Sequence, residues 1–347
     1  MISVIMPTFN KSPYLRLTLA SFMNQSYKNY ELIVVDDGSG DDTSQVVQDY
    51  ASKLNLTFIR QQNQGRSQAR NCGIRASSGQ HIVLVDDDCL VPPDYLKRYS
   101  ELLTRYGDRY FIIGKISRVL THWREGLPLS LQDMQKAGEV LGRIIPDERN
   151  GIALRSIVKE DEVVHQFDKT ISTIDLGEEP HPDNPKNIDA TKLYHFRFGW
   201  SYGTTANMGV AKAAALEAGL FDTRFSGWGM EDTAFCFGLW QNGLDMKYVH
   251  EAINYHQVHS RPPSRHDEFK ANFKYFSDKY QQYLEPYIYD MAAKHYLDVF
   301  EAERFIRKLL LKKKMLSERR IISKKLKSRV LFHLYMYKIM RLRFNRR

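Results

Sequence analysis

Short apolar runs alternate with helically spaced stretches through the first third of the chain. Residues 2–7 (ISVIMP), 31–37 (ELIVVDD), 56–61 (LTFIRQ), 81–88 (HIVLVDDD) and 110–116 (YFIIGKI) read as strands. Between them, 13–25, 41–52, 67–79 and 93–106 place apolar residues at helical intervals. Strands alternating with helices of this length build a parallel sheet covered on both faces, an α/β architecture. Ligands of such sheets sit beyond the carboxyl ends of the strands. The polar clusters Thr8–Asn10, Asp36–Ser39 and Asp86–Asp88 fall at those ends.

The pattern breaks between 118 and 200, which holds Pro128, Pro146, Pro180, Pro182 and Pro185. A long, partly helical insertion is expected there, functional or mobile. Helical spacing returns at 210–219 and 231–243, each ended by glycine. Residues 246–259 read as one or two strands leading to His256 and His259, and the last hundred residues as helical. Four regions follow: a first sheet half (1–117), the insertion (118–200), a second sheet half (201–262) and a helical C-terminal region (263–347).

Charge changes this picture at one end. The net charge is +9, yet residues 304–347 carry seventeen Lys and Arg against one acid, Glu318. The body, 1–303, is therefore slightly acidic, with 33 basic and 40 acidic residues. The tail has two readings: an in-plane anchor on an anionic membrane surface through the apolar stretch 331–342, or a packed helical hairpin or homodimer contact with a solvated basic face. It shows no recognised nucleic-acid module, so no nucleic-acid partner is expected. Cys72, Cys89 and Cys236 form no CxxC pair, which argues against a disulfide framework or a structural zinc site. No signal peptide is visible and no run reaches the ~18 apolar residues of a membrane span. A cytoplasmic protein is expected, one that can sit on the inner membrane face through its tail.

Four groups can carry chemistry. Asp86, Asp87 and Asp88 end a buried strand, where three carboxylates repel one another and call for a cation. Oxygen ligands favour Mg²⁺ or Mn²⁺; the alternative is a solvated acidic turn. Asp36 and Asp37 run into Gly38-Ser39, where a carboxylate can take hydrogen bonds from a base or a ribose, or cap a turn. In GWGMED (227–232) the glycines free the backbone around Trp228, and Glu231 and Asp232 open a helix whose dipole favours an ionised carboxylate. This suits a general base, and equally an ordinary first turn. His256 and His259 are metal ligands or structural histidines.

Taken together and in order, SVIMPTFN, VVDDGSGDDT, GRSQARNCGIRASSG and IVLVDDDC resemble the nucleotide-binding half of family-2 glycosyltransferases with the GT-A fold. GWGMEDTAFCFGLWQNG followed by NYHQ is similar to the acceptor half of inverting GT-A enzymes of the galactosyltransferase and chondroitin-polymerase types. The resemblance covers 2–116 and 200–260.

It implies a Rossmann-like, mostly parallel sheet and transfer of a sugar from a UDP-sugar to a hydroxyl of a glycan, glycolipid or peptide. Pro7, Thr8 and Phe9 would hold the uracil, Asp37 the base or ribose, and Arg66 and Arg70 the nucleotide site. Asp86 would reach ribose or water with Asp87 beside it, and Asp88 and His256 would bind Mn²⁺ or Mg²⁺. Asp232 would be the general base, Glu231 the residue that orients the acceptor, and Trp228 its platform. A sugar-phosphate nucleotidyltransferase would need a glycine-rich loop after the first strand, where this chain has PTFNKSPY. A non-catalytic sugar-nucleotide binder would not need Asp88, Asp232 and His256 together.

Overall fold

The computed structural model describes residues 1–311 except 108, 124–126, 128, 130, 145–153, 179–195, 261–262 and 295–298. The first half runs β1 (Ile2–Thr8), α1 (Ser12–Phe22), β2 (Tyr30–Asp36), α2 (Thr43–Ala51), β3 (Leu56–Arg60), α3 (Arg66–Ala76) and β4 (His81–Val85). It continues with β5 (Cys89–Leu90), α4 (Tyr95–Tyr106) and β6 (Tyr110–Val119). The irregular stretch contributes β7 (His122–Trp123), α5 (Leu131–Ile144), β8 (Arg155–Ser156), α6 (Glu160–His165), α7 (Phe167–Ile174) and β9 (Asp175–Gly177). Then follow β10 (Asn207–Ala211), α8 (Lys212–Glu217), α9 (Glu231–Gln241), β11 (Asp245–Gln257), α10 (Arg265–Tyr280), α11 (Leu284–Lys294) and α12 (Val299–Leu311).

One sheet of nine strands organises these elements, in the order β3-β2-β1-β4-β10-β6-β11-β5, with β9 added beside β6. The pairs among β1 to β4 are parallel, as is β6 with β11. Strand β10 lies antiparallel between β4 and β6, which departs from an all-parallel sheet. It also corrects the helix expected over 210–219. Val210 and Ala211 are strand, paired with Ile82 and His81, and the helix begins only at Lys212. Burial between two strands outweighs the helix propensity of that alanine-rich run. The strand expected over 81–88 stops at Val85, because Asp86–Asp88 turn the chain into β5.

Side chains alternate across the sheet with a period of two, so each face covers its own core. Val4, Met6, Val34 and Val83 pack against α1, α2 and α4; Ile5, Ile33, Val35 and Ile82 face the other way. On that second face Trp200 meets Phe237, Phe276 and Tyr289, which ties α9 to α10 and α11. Of the basic tail, 304–311 belongs to α12, where Ile306 is fully buried. Residues 312–347, including the apolar stretch 331–342, lie outside the described residues, as do Pro128, Pro146, Pro180, Pro182 and Pro185. Among the described residues no helix is long and apolar enough to cross a membrane.

One buried histidine makes the fold sensitive to acid. His122 lies against the Tyr14 ring, and burial pushes its imidazole down to about 4. The folded protein therefore resists a proton that the unfolded chain accepts near pH 6.5. The His122 contribution to stability should be nil well above that value and turn unfavourable as pH drops toward 4, by about 2 kcal/mol at pH 5. Urea denaturation of wild type and His122→Gln at pH 7 and pH 5 checks this: the difference should shrink in the variant.

Candidate active site

The ends of β4 and β11 converge at one edge of the sheet. His256 stands opposite Cys89 in the β11–β5 register, and the Gln257 N–H donates to the Asp88 carbonyl at 2.8 Å. The Asp88 carboxylate then lies 3.5 Å from His256 Nε2 and 3.1 Å from His259 Nε2. One ligand atom from each of these three residues falls within 4.8 Å of the others. His259 Nδ1 is 2.7 Å from the Ser260 carbonyl. A carbonyl only accepts, so Nδ1 carries a hydrogen, and Nε2 faces Asp88, donating to it when the ring is protonated and free to ligate a cation when it is not. Gln257 fixes the strand end from behind: its amide donates to the Tyr14 carbonyl at 2.9 Å and to Thr18 Oγ1 at 3.0 Å, and accepts from Thr121 Oγ1 at 2.8 Å.

The electrostatics of this corner are steep. Lys11 Nζ is 2.5 Å from Asp88 Oδ2. Burial works against the Asp88 charge, yet Lys11 and the two histidines hold its carboxyl well below the usual carboxylate range. Burial pushes Asp87 up to about 7 against the pull of Lys11. Two neighbouring carboxyls thus have opposed protonation preferences, a pattern common at functional sites.

A second set of acids is joined to the first by one guanidinium. Arg70, on α3, is 2% exposed and donates 2.9 Å to Asp86 and 3.1 Å to Asp232. Burial opposes its charge, but Asp232, Asp86 and Glu231 outweigh it and raise its pKa. Glu231 Oε1 is 3.7 Å from Arg70 and 3.5 Å from Arg66. Burial, with Asp232 beside it, raises the Glu231 carboxyl. Asp232 also accepts from Thr205, at 3.0 Å from its N–H and 2.7 Å from its hydroxyl.

The turn before α9 explains why the sequence is GWGM. Gly227, Gly229 and Met230 all have positive φ, and a Cβ on Gly227 or Gly229 would stand 2.6 Å from Glu268 or 2.8 Å from Phe269. Helix α10 can therefore close over this turn. The Trp228 N–H donates to Glu268 at 2.9 Å, and the Arg265 guanidinium lies 4.0 Å from the indole centroid.

On the other side of the site, Pro7 and Thr8 end β1 and Phe9 is 46% exposed beside them. Asp37 is buried, and its carboxylate holds the loop after β3 by accepting from Gln61 Nε2 at 2.7 Å and the N–H groups of Gln64 and Gly65 at 2.9 and 2.8 Å. Expected nucleotide residues and expected acceptor residues thus meet at Arg66 and Arg70. Lys11, Thr205 and Gln257 carry no signal of a role in the sequence, and the family resemblance implies Asp88 and His256 as ligands without His259. The histidine pair at the end of a strand was the one signal that pointed to the last.

Residues 3–158 match the family model described as Glycosyl transferase family 2. The chain is 29% identical over 297 residues to the chondroitin synthase of Escherichia coli, which covers 84% of this chain and 40% of that protein. It is 30% identical over 271 residues to the hyaluronan synthase of Pasteurella multocida, covering 77% of this chain and 25% of the relative. The chain thus spans two-fifths or less of the length of these relatives. Among solved structures it is similar to GalNAc-T7 with UDP, GalNAc and Mn²⁺ (TM-score 0.54, 15% identity, 89% of this chain and 54% of that one). It is also similar to residues 1–349 of S. aureus TarS in complex with UDP-GlcNAc (TM-score 0.50, 18% identity, 79% and 63%). The sheet and its helical layers are those of the GT-A fold.

Proposed function

We propose, from the premise that this chain is a glycosyltransferase with a family 2 domain on a GT-A fold, that it moves a sugar from a UDP-sugar to a glycan hydroxyl with inversion at the anomeric carbon. The observation that carries the reading is Arg70, whose single buried guanidinium joins Asp86 of the acid triplet to Asp232 of the helix-opening pair. Donor-side and acceptor-side acids therefore flank one point, as a direct displacement requires. The nucleotide as UDP rests on the family resemblance, and the glycan acceptor on the chondroitin and hyaluronan synthases among the relatives.

In this reading Pro7, Thr8, Phe9 and Asp37 border the base and ribose, and Asp86, Asp87, Arg66 and Arg70 the rest of the nucleotide site. Asp88, His256 and His259 hold the divalent ion. Two imidazoles beside one carboxylate suit Mn²⁺ better than Mg²⁺, which prefers oxygen. The ion supplies Lewis-acid neutralisation of the charge that develops on the leaving diphosphate. Asp232 takes the acceptor's proton, held in place by Thr205 and Arg70, so that the hydroxyl oxygen attacks as the sugar becomes oxocarbenium-like. Glu231 orients the acceptor, and Trp228 offers it an apolar face. For the basic residues 312–347 we extend the proposal to an anionic membrane surface; the part inside α12 is packed on the domain.

A screen of nucleotide sugars with Mn²⁺ tests this directly. The true donor at a hundredfold excess over its Kd should stabilise the fold by about 2.7 kcal/mol. Proton NMR of the glycoside formed should show the anomeric configuration opposite to that of the donor. A retained configuration would overturn the direct displacement.

A further inference from the structure

We infer that Lys11 and the divalent ion compete for Asp88, and that the donor diphosphate resolves the competition by taking the lysine ammonium, so that ion and donor load together. The inference rests on the metal reading above.

Lys11 is the residue before α1, and its backbone is fixed. Its carbonyl accepts from the N–H groups of Tyr14 and Leu15 at 3.0 and 2.9 Å. On one side the Asn10 N–H donates to Ser39 Oγ at 2.9 Å, and on the other the Ser12 N–H donates to Asp41 at 2.9 Å. The flexible stem alone decides where the ammonium goes, and it reaches across to Asp88 Oδ2 at 2.5 Å. His259 Nε2 is 3.1 Å from that same oxygen. An ion shared by Asp88 and His259 would bind close to Oδ2, within about 2.2 Å. An ammonium left at its present distance would then stand no more than about 5 Å from a doubly charged ion. Like charges that close and partly buried repel strongly, so the ammonium must leave.

The diphosphate is the anion that can receive it. Lysine binds phosphate as a point charge and needs no fixed fork geometry, which suits a side chain that moves between two partners. The diphosphate also brings oxygens to the ion, so the donor relieves both sides of the competition at once. Two ligands that each favour the other must do so by equal factors.

Electron paramagnetic resonance of free Mn²⁺, with and without UDP, measures that factor in wild type, Lys11→Met and Lys11→Arg. Wild type should bind Mn²⁺ weakly alone and at least tenfold more tightly with UDP. Lys11→Met should bind Mn²⁺ alone at least tenfold more tightly than wild type does, and lose most of the gain from UDP. Lys11→Arg keeps the charge and should behave as wild type, which separates competition from damage to the fold. Equal or weaker Mn²⁺ binding by Lys11→Met without UDP, in a protein that binds Mn²⁺ with UDP, overturns the competition and leaves the metal reading intact. Absence of Mn²⁺ binding in wild type with UDP overturns both.

Discussion

Replacing Asp232 by asparagine is expected to lower the transfer rate by about 10²–10⁴-fold while donor affinity stays within a few-fold of wild type. The side chain keeps its shape and its place at the start of α9, so the change removes the proton-accepting charge, and Asp86 and Glu231 stay beside the buried Arg70 guanidinium. Asn has one carbonyl oxygen where Asp232 offers two. Turned toward Arg70 and the Thr205 hydroxyl, it keeps two of the three contacts and puts its NH₂ against the Thr205 N–H. That mismatch costs about 1–3 kcal/mol of stability, which denaturation reads separately from catalysis. Glu231→Gln provides the contrast. Its proposed role is to orient the acceptor, so its loss should raise the acceptor KM as well as lower kcat. Transfer by Asp232→Asn at the wild-type rate would remove this residue from the proposed chemistry.

Much of the sheet was legible because burial on both faces leaves a plain signal. ISVIMP, ELIVVDD and HIVLVDDD mark three adjacent strands, and the polar residues at their ends, Thr8–Asn10, Asp36–Asp37 and Asp86–Asp88, mark the edge where the site lies. Strand β10 was not legible. Its NMGVA runs directly into an alanine-rich helix, and its two neighbours, β4 and β6, lie far back in the chain. The same distance hid the joins within the site. Arg70 and Asp232 are 162 residues apart, and Lys11 and Asp88 are 77 apart. Residue type announces that an arginine or a lysine needs an acid, but not which one. Gln257 was hidden differently: it touches no expected ligand with its side chain, and its work is to hold α1 against the strand end that carries the histidines.

Asp88→Asn should weaken UDP-dependent Mn²⁺ binding by at least about 100-fold, beyond the usual cost of losing an outer-shell partner of a metal ligand, and bring turnover to background. The turn itself should survive, since it depends on backbone bonds: the Asp88 carbonyl to Gln257 N–H, and Cys89 N–H to the Asp86 carbonyl at 3.2 Å. The charge is what the site loses. Lys11 would keep Asp87 and Asp86 nearby, so its ammonium is not stranded, and removing one of three clustered carboxylates relieves some repulsion. Circular dichroism should therefore report a folded protein in which calorimetry finds no Mn²⁺ uptake with UDP. Wild type in excess EDTA should lose turnover to the same extent, and added Mn²⁺ should restore wild type but not the variant. Full turnover of wild type in EDTA would sink the metal reading. Asp232→Asn should give the opposite pattern, normal Mn²⁺–UDP binding with impaired transfer. A donor-side defect and an acceptor-side defect would then separate on the two sides of Arg70.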